Sequence, residues 1–197
     1  MLKESVMDKE EELLIKRAQR GNLQAFESLV QRYDAKIMRL IFNMLNDVED
    51  TRDIYQEVFI KVFKSLKKFS FQSEFYTWLY RIAINTCINF RKQRISHQYD
   101  SLDEILEGND RNWRIYQDIE SRNPENYVLN LELSFKIQQA IDQLSKKQKA
   151  VLVLRHYHGY KLSEIAEIMG SSEGTIKNYL FRAVQKMKKS LEEYHHI

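Results

Sequence analysis

The chain has 197 residues, with five glycines, one proline and one cysteine, and its 31 basic and 28 acidic side chains leave a formal charge of +3. Gly plus Pro come to about 3%, against roughly 12% in average usage, which leaves too little turn chemistry for a β-sandwich or a glycine-rich nucleotide fold. Leu, Lys, Glu and Gln, which keep most of their rotamer freedom in a helix, are abundant instead, so an all-α fold is expected. The longest apolar run, Ala150–Leu154, has five residues, where a membrane span needs about 20. Met1–Glu12 is dense in charge and has no apolar core, so no secretory signal is expected. Cys87 is alone and cannot form an internal disulfide, which fits a reducing cytoplasm.

The small net charge hides three blocks. Tyr55 to Gln98 carries eight basic residues against Glu57 and Glu74, net +6. Tyr99 to Glu132 carries nine acids against three arginines, net −6, and Leu144 to Leu191 carries ten basic residues against three glutamates, net +7. Any single charge is accounted for by a solvated helix face. Two separate basic blocks also match what a phosphate backbone attracts.

In chain order, a short helix is expected from about Glu10 to Arg20. Asn22 then caps a longer helix with Phe26, Leu29, Val30, Tyr33, Ile37, Leu40, Ile41 and Met44 on one stripe. Asp47 or Asp50 starts a third, with Ile54, Tyr55, Val58, Phe59, Val62, Phe63 and Leu66 inward. Its outer positions run from Asp53, Gln56 and Glu57 to Lys61, Lys64, Lys67 and Lys68, an order that suits the helix dipole. After the loop Phe69-Ser70-Phe71-Gln72-Ser73, Ser73 is the expected cap of a helix from Glu74 to about Arg94. Phe75, Trp78, Leu79, Ile82 and Phe90 fit its inward stripe, and Cys87 reads as packing. Tyr76 and Tyr80 fall off that stripe, among Arg81, Asn85, Asn89, Arg91 and Lys92. Such a face is either further core or a surface where rings stack unpaired bases while basic groups hold the backbone.

Residues 97–128 read as an acidic linker, marked by Gly108 and Pro124, with a short helix around Leu102–Leu106. It separates a domain over 1–96 from one over 129–197. In the second domain, Ser145-Lys146-Lys147-Gln148 fits a capping box opening a helix with Val151, Leu152 and Leu154 inward. A turn at His158-Gly159-Tyr160 leads to a short helix, Leu162–Met169, burying Ile165, Ala166 and Met169. Gly170 follows as a left-handed terminator, and Ser171 or Ser172 caps a last helix with Ile176, Leu180, Ala183, Val184 and Met187 inward. Helix, glycine turn and helix make a helix-turn-helix. Glu173, Thr175, Lys177, Asn178, Phe181, Arg182 and Lys186 face outward, and the capped start would aim its amides at DNA.

Three motifs in this order resemble bacterial RNA polymerase sigma factors of the extracytoplasmic-function class in the sigma-70 family. They are Asp53-Ile54-Tyr55-Gln56-Glu57-Val58-Phe59, then Phe75-Tyr76-Thr77-Trp78-Leu79-Tyr80-Arg81-Ile82-Ala83-Ile84-Asn85, then Leu162 to Gly170 with Ser172 to Lys177. The resemblance implies that 1–96 is a region 2 domain whose Asp53, Gln56 and Glu57 dock on core polymerase. It implies that Ser70, Phe71, Gln72, Ser73, Tyr80, Arg81, Asn85 and Arg91 meet a melted −10 element, by base flipping without hydrolysis. It implies that 129–197 is a region 4 domain whose Ser172, Glu173, Thr175, Lys177, Asn178, Phe181, Arg182 and Lys186 meet a duplex −35 element. An anti-sigma partner is common in the family. The chain departs from the family at Ser70-Phe71, where Arg-Gly or similar small residues are frequent. It also departs at Lys161, where a Ser or Thr cap is usual, and at Val184, where an Arg is frequent.

A helix-turn-helix regulator with a sensory domain is the first alternative, and nothing in Tyr55 to Arg94 resembles a phosphoacceptor or ligand pocket. An enzyme is the second. His156 and His158 are two apart rather than four, and no H-E-x-x-H or glycine-rich phosphate loop occurs. No catalytic residue, cofactor or metal is therefore expected.

Overall fold

A computed structural model describes residues 9–98, 133–134 and 136–192, with the side chains of 91–98 left out. The chain divides into two units, Met1–Arg91 and Lys92–Ile197, each described by itself. Every element among the described residues is helical. The linker centre, Gly108, Pro124 and the short helix at 102–106 lie outside the described residues, and helix α4 runs on through residues 97 and 98, where the linker was expected to begin.

The first unit contains α1 (Lys9–Gln19), α2 (Leu23–Leu45), α3 (Val48–Ser65), a 3-10 turn (Leu66–Lys68) and most of α4 (Phe75–Gln98), which runs on past Arg91. Each junction has a local cause. The Asn22 side chain accepts from the Ala25 amide at 2.9 Å and starts α2. Asn46 ends that helix at φ 57°, a left-handed conformation that Asn tolerates, with its amide donating to the Phe42 carbonyl at 2.7 Å. Between the two candidate caps of α3, Asp47 is the one used, accepting from the Asp50 amide at 2.8 Å.

Leu29, Tyr33, Ile37, Leu40, Ile41 and Met44 of α2 are buried, as are Ile54, Val58 and Val62 of α3. Two expectations fail here. Phe63 is 48% exposed, turned out to meet the Phe26 ring edge-on at 5.0 Å. Helix α4 begins at Phe75, so Glu74, whose carbonyl accepts from the Trp78 amide at 3.2 Å, occupies the cap position expected for Ser73.

A buried polar contact joins α1 to α2. The Tyr33 hydroxyl donates to Glu11 Oε1 at 2.6 Å, and the Arg32 guanidinium lies 3.6 Å from that carboxylate. Both Tyr33 and Glu11 are buried.

The second unit contains α5 (136–142), α6 (Lys146–Leu152), a π-helical turn (Val153–Tyr157), α7 (Leu162–Met169) and α8 (Glu173–Glu192). The capping box is reciprocal: Ser145 Oγ accepts from the Gln148 amide, and Gln148 Oε1 accepts from the Ser145 amide at 3.0 Å. Ile141, Leu144, Leu152 and Ala183 form a core flanked by Ile137, Leu180 and Met187. Lys149 is fully buried and reaches Asp142 Oδ1 at 2.8 Å, tying α6 to the end of α5. Ile168 is buried where Met169 was expected to be, and Val184 is 44% exposed rather than inward. Ala183 takes the inner slot, and the next residue lies about 100° further round the helix.

Burial, then the hydrogen bond to Glu11, hold the Tyr33 phenol far above its ordinary 10.0. Above about pH 10 the unfolded chain releases this proton and the folded chain keeps it, so Tyr33 makes stability fall as pH rises. Denaturant unfolding between pH 9 and 11 should show a steeper loss for the native chain than for Tyr33→Phe. At neutral pH that variant should be about 1 kcal/mol less stable through the lost hydrogen bond.

Candidate nucleic-acid interface

The helix-turn-helix is built from its turn outward. Gly170 adopts φ 58°, and a Cβ there would meet nothing within 4 Å, so the backbone conformation alone selects glycine. The Gly170 and Ser171 amides close the end of α7 on the Glu167 and Ala166 carbonyls at 3.3 and 3.0 Å. At its start, Lys161 supplies no side-chain cap, but its amide donates to Glu164 Oε2 at 2.7 Å, half of a capping box. Of the two serines offered for α8, Ser172 is the cap: its hydroxyl accepts from the Thr175 amide at 3.2 Å. Ser171 bonds back to the Met169 carbonyl.

Ile176 and Ala183 are buried and fix the rotation of α8. Ser172, Glu173, Thr175, Lys177, Asn178, Phe181, Arg182 and Lys186 are all exposed, and Phe181 is 64% exposed. Lys177 pairs with Glu173 at 3.0 Å along the helix surface, an arrangement worth little in water and open to exchange for a phosphate. The Thr175 hydroxyl lies 2.9 Å from Ser172 Oγ.

In the first unit Asp53, Gln56 and Glu57 are exposed on one face of α3, with Glu57 pairing Lys61 at 2.6 Å. In the loop, Ser70 and Gln72 are exposed and Phe71 and Ser73 half-buried. Phe69 anchors the loop: it is buried, with its ring 4.9 Å from Phe71, 5.2 Å from Trp78 and 5.6 Å from Phe75. Phe71 has φ 58°, the left-handed conformation for which a small residue would be the ordinary choice. On α4, Arg81 and Asn85 are exposed, and the Arg91 side chain lies outside the described ones.

Tyr80 requires correction. At 1% exposure it is a core residue, its ring edge-on to Tyr76 at 6.4 Å, so it presents no ring for stacking. The cause is that α4 is buried around most of its girth: Phe75, Thr77, Leu79, Tyr80, Ala83, Ile84, Thr86 and Cys87 are all buried. A helix enclosed on several sides has no single apolar stripe, so position off the stripe did not mean position outside.

Between α3 and α4 lies an open groove of about 350 Å³, lined by Lys61, Lys64, Ser65, Ile82, Asn85, Thr86 and Asn89. Lys61 Nζ donates to Thr86 Oγ1 at 3.3 Å across it. Lys61 and Lys64 were not among the expected −10 residues. In the sequence they are only the basic end of α3, and the packing of α4 brings them beside Asn85. Among the described residues, no group of three or more His, Cys, Asp and Glu could hold a metal, and no helix is long and apolar enough to cross a membrane.

An all-α chain whose last two long-axis elements form a capped helix-turn-helix with an exposed outer face belongs to the class of helix-turn-helix DNA-binding proteins. Comparison with known proteins narrows this. The family profile described as Sigma-70 region 2 matches residues 29–95, and that described as Sigma-70, region 4 matches 134–187. The RNA polymerase sigma-H factor of Pseudomonas aeruginosa is 37% identical over 188 residues, covering 93% of this chain and 94% of its own. The ECF RNA polymerase sigma factor SigW of Bacillus subtilis is 36% identical over 182 residues, covering 91% and 95%. The chain belongs to the extracytoplasmic-function class of the sigma-70 family of RNA polymerase sigma factors.

Solved structures share the fold. CnrH in complex with the cytosolic domain of CnrY has a TM-score of 0.63 at 21% identity, covering 93% of this chain and 98% of that one. RpoE in complex with the anti-sigma factor NepR from Bartonella quintana has a TM-score of 0.63 at 18% identity, covering 85% and 96%.

Burial of Tyr80 makes a measurable difference. Tyr80→Ala should lower the stability of the chain by about 3 kcal/mol, read as a shift of the urea midpoint. A ring standing in solvent would leave that midpoint unchanged.

Proposed function

We propose that this chain directs promoter-specific transcription initiation through two readers joined by an acidic tether. Residues 1–96 bind core polymerase through Asp53, Gln56 and Glu57 and hold the unpaired −10 strand. Residues 129–197 read the duplex −35 element. The observation that carries this is the outer face of α8, where seven polar, charged and aromatic side chains stand exposed behind a Ser172 cap and a Gly170 turn. Thr175, Asn178 and Arg182 have the donor and acceptor groups that read base edges in a major groove, and Lys177, Arg182 and Lys186 supply charge for the backbone.

In the first unit, Ser70, Phe71, Gln72 and Ser73 of the loop, with Arg81, Asn85 and Arg91 of α4, form the −10 surface, and Lys61 and Lys64 join it across the groove. Tyr80 supports this surface from inside. Melting is then driven by capture of a flipped base, and no covalent bond is broken in the process, so the protein acts as an initiation factor rather than an enzyme and needs no cofactor. The acidic linker is repelled by the promoter backbone, while tethering the two readers raises the effective concentration of one once the other has bound. The chain acts in the cytoplasm with RNA polymerase, and an anti-sigma factor that covers both units would control it.

Reconstitution with core polymerase on genomic DNA, followed by mapping of transcript starts, tests the proposal. Starts shared by a common upstream sequence are expected, and the absence of promoter-specific initiation refutes it. Lys177→Ala and Arg182→Ala should each weaken duplex binding and lower the salt slope by about 1 while sparing polymerase binding. Asp53→Ala combined with Glu57→Ala should have the opposite pattern, measured by co-sedimentation with core polymerase.

A further inference from the structure

The loop that precedes α4 is held from α1, an element outside every surface discussed above. The Gln19 side-chain amide donates from one nitrogen to two carbonyls, Leu66 at 3.0 Å and Phe69 at 2.8 Å. These carbonyls bracket Lys67 and Lys68 and mark where the 3-10 turn gives way to the loop. Three residues before Gln19, on the same side of α1, the Lys16 ammonium lies 5.6 Å from the centroid of the Phe71 ring. Glu12, a further turn back, pairs with Lys16 and orients it.

Phe71 needs such support. A bulky residue at φ 58° sits in a region that costs an L-residue about 1–2 kcal/mol. Its ring lies 4.9 Å from the Phe69 ring and 5.6 Å from the Lys16 ammonium. The Phe69 backbone is in turn fastened by Gln19. The strained residue, its ring partner and the loop entrance are therefore all tied to one face of one helix.

We propose that Gln19 and Lys16 are positioning residues that set the shape of the −10 reading loop and so determine which base it accepts. This rests on the assignment of that loop to the unpaired −10 strand. Neither residue needs to touch DNA. Gln19 locks the backbone that presents Ser70 and Phe71, and Lys16 keeps the Phe71 ring at its station. A loop released from α1 would relax away from the left-handed conformation and present its ring and backbone groups along altered directions. The effect falls on selectivity as well as on affinity, which distinguishes positioning from general stabilisation.

The test uses holoenzyme, reconstituted from core polymerase and the full chain, to select from a pool of randomised single-stranded DNA decamers, with core polymerase alone as the blank. Gln19→Glu keeps the shape of the side chain but turns an acceptor towards the two carbonyls. It should lower affinity for the preferred decamer by up to about thirtyfold, the worth of two net hydrogen bonds, and broaden the base preference. Lys16→Met, at an exposed position where folding is not at issue, should lower affinity about two- to fivefold.

Coupling supplies the readout that a merely structural role would not move. Glycine takes a positive φ without strain, so the effect of Gln19→Ala should shrink in a Phe71→Gly background. Unchanged selection by Gln19→Glu and Lys16→Met overturns the proposal, as does a Gln19→Ala effect of equal size in both backgrounds. Should the native holoenzyme select nothing beyond the core-only blank, the −10 assignment itself falls, and the positioning role falls with it.

Discussion

The first unit is organised by the burial of α4. From Phe75 to Cys87 this helix hides side chains around most of its circumference, including the hydroxyls of Thr77 and Thr86 as well as the aromatic and aliphatic groups. Tyr33 of α2 meets Phe75 with ring centroids 5.6 Å apart, and Lys61 of α3 reaches Thr86, so α4 is gripped from two sides. Each large apolar side chain removed from water contributes roughly 1.5–3 kcal/mol. Enclosure of this kind leaves α4 little surface for anything else. Among the described side chains of α4, Arg81, Asn85 and Asn89 make a narrow exposed line at steps of four residues. The exposed polar line on α4 is narrow because so much of the helix is buried.

The second unit solves the opposite problem. Helix α8 is held from one side by Ile176 and Ala183, with Leu180 and Met187 half-buried beside them. Twenty residues of helix thus rest on a thin inner stripe, and a broad outer face is free for polar groups. The stripe can be thin because the helix is also fixed at its end, by the Gly170 turn and the Ser172 cap. In the same unit, buried Lys149 reaches Asp142, holding α5 and α6 together at a position where an unpaired ammonium would be costly. Two faces of the same family protein are made by different means: one is the residue of a nearly complete burial, the other the free side of a minimal one.

Local chemistry explains which features were legible in the sequence. Caps act over three residues, so Asn22, Asp47, Ser145, Gly170 and Ser172 could be recognised or narrowed to two choices without any tertiary information. An exposed face of a helix packed on one side follows the 3.6 period, which is why all eight residues assigned to the outer face of α8 and its cap are exposed. The same rule misplaced Tyr80, Phe63 and Val184. Tyr80 lies on a helix with several buried sides, and Phe63 and Val184 lie at the edge of a stripe whose width is set by the neighbouring helix. The basic pair Lys61 and Lys64 was visible as charge but not as part of a groove, since Asn85 is more than twenty residues away along the chain. The bracing of the loop by Gln19 had no signal at all: a glutamine near a helix end is ordinary until two carbonyls some fifty residues on are brought to it.

The amino-acid sequence by itself determined the helical class, the positions of most helix ends, the separation of charge into basic, acidic and basic blocks, and the family. Each of these depends on interactions within a few residues or on composition, and such interactions are written in the order of the chain. Tertiary structure alone decided which aromatic rings are core, where α3 lysines meet α4 amides, and how α1 holds the strained loop at Phe71. Those depend on contacts between residues 25 to 55 positions apart, whose geometry comes into existence only when the helices pack.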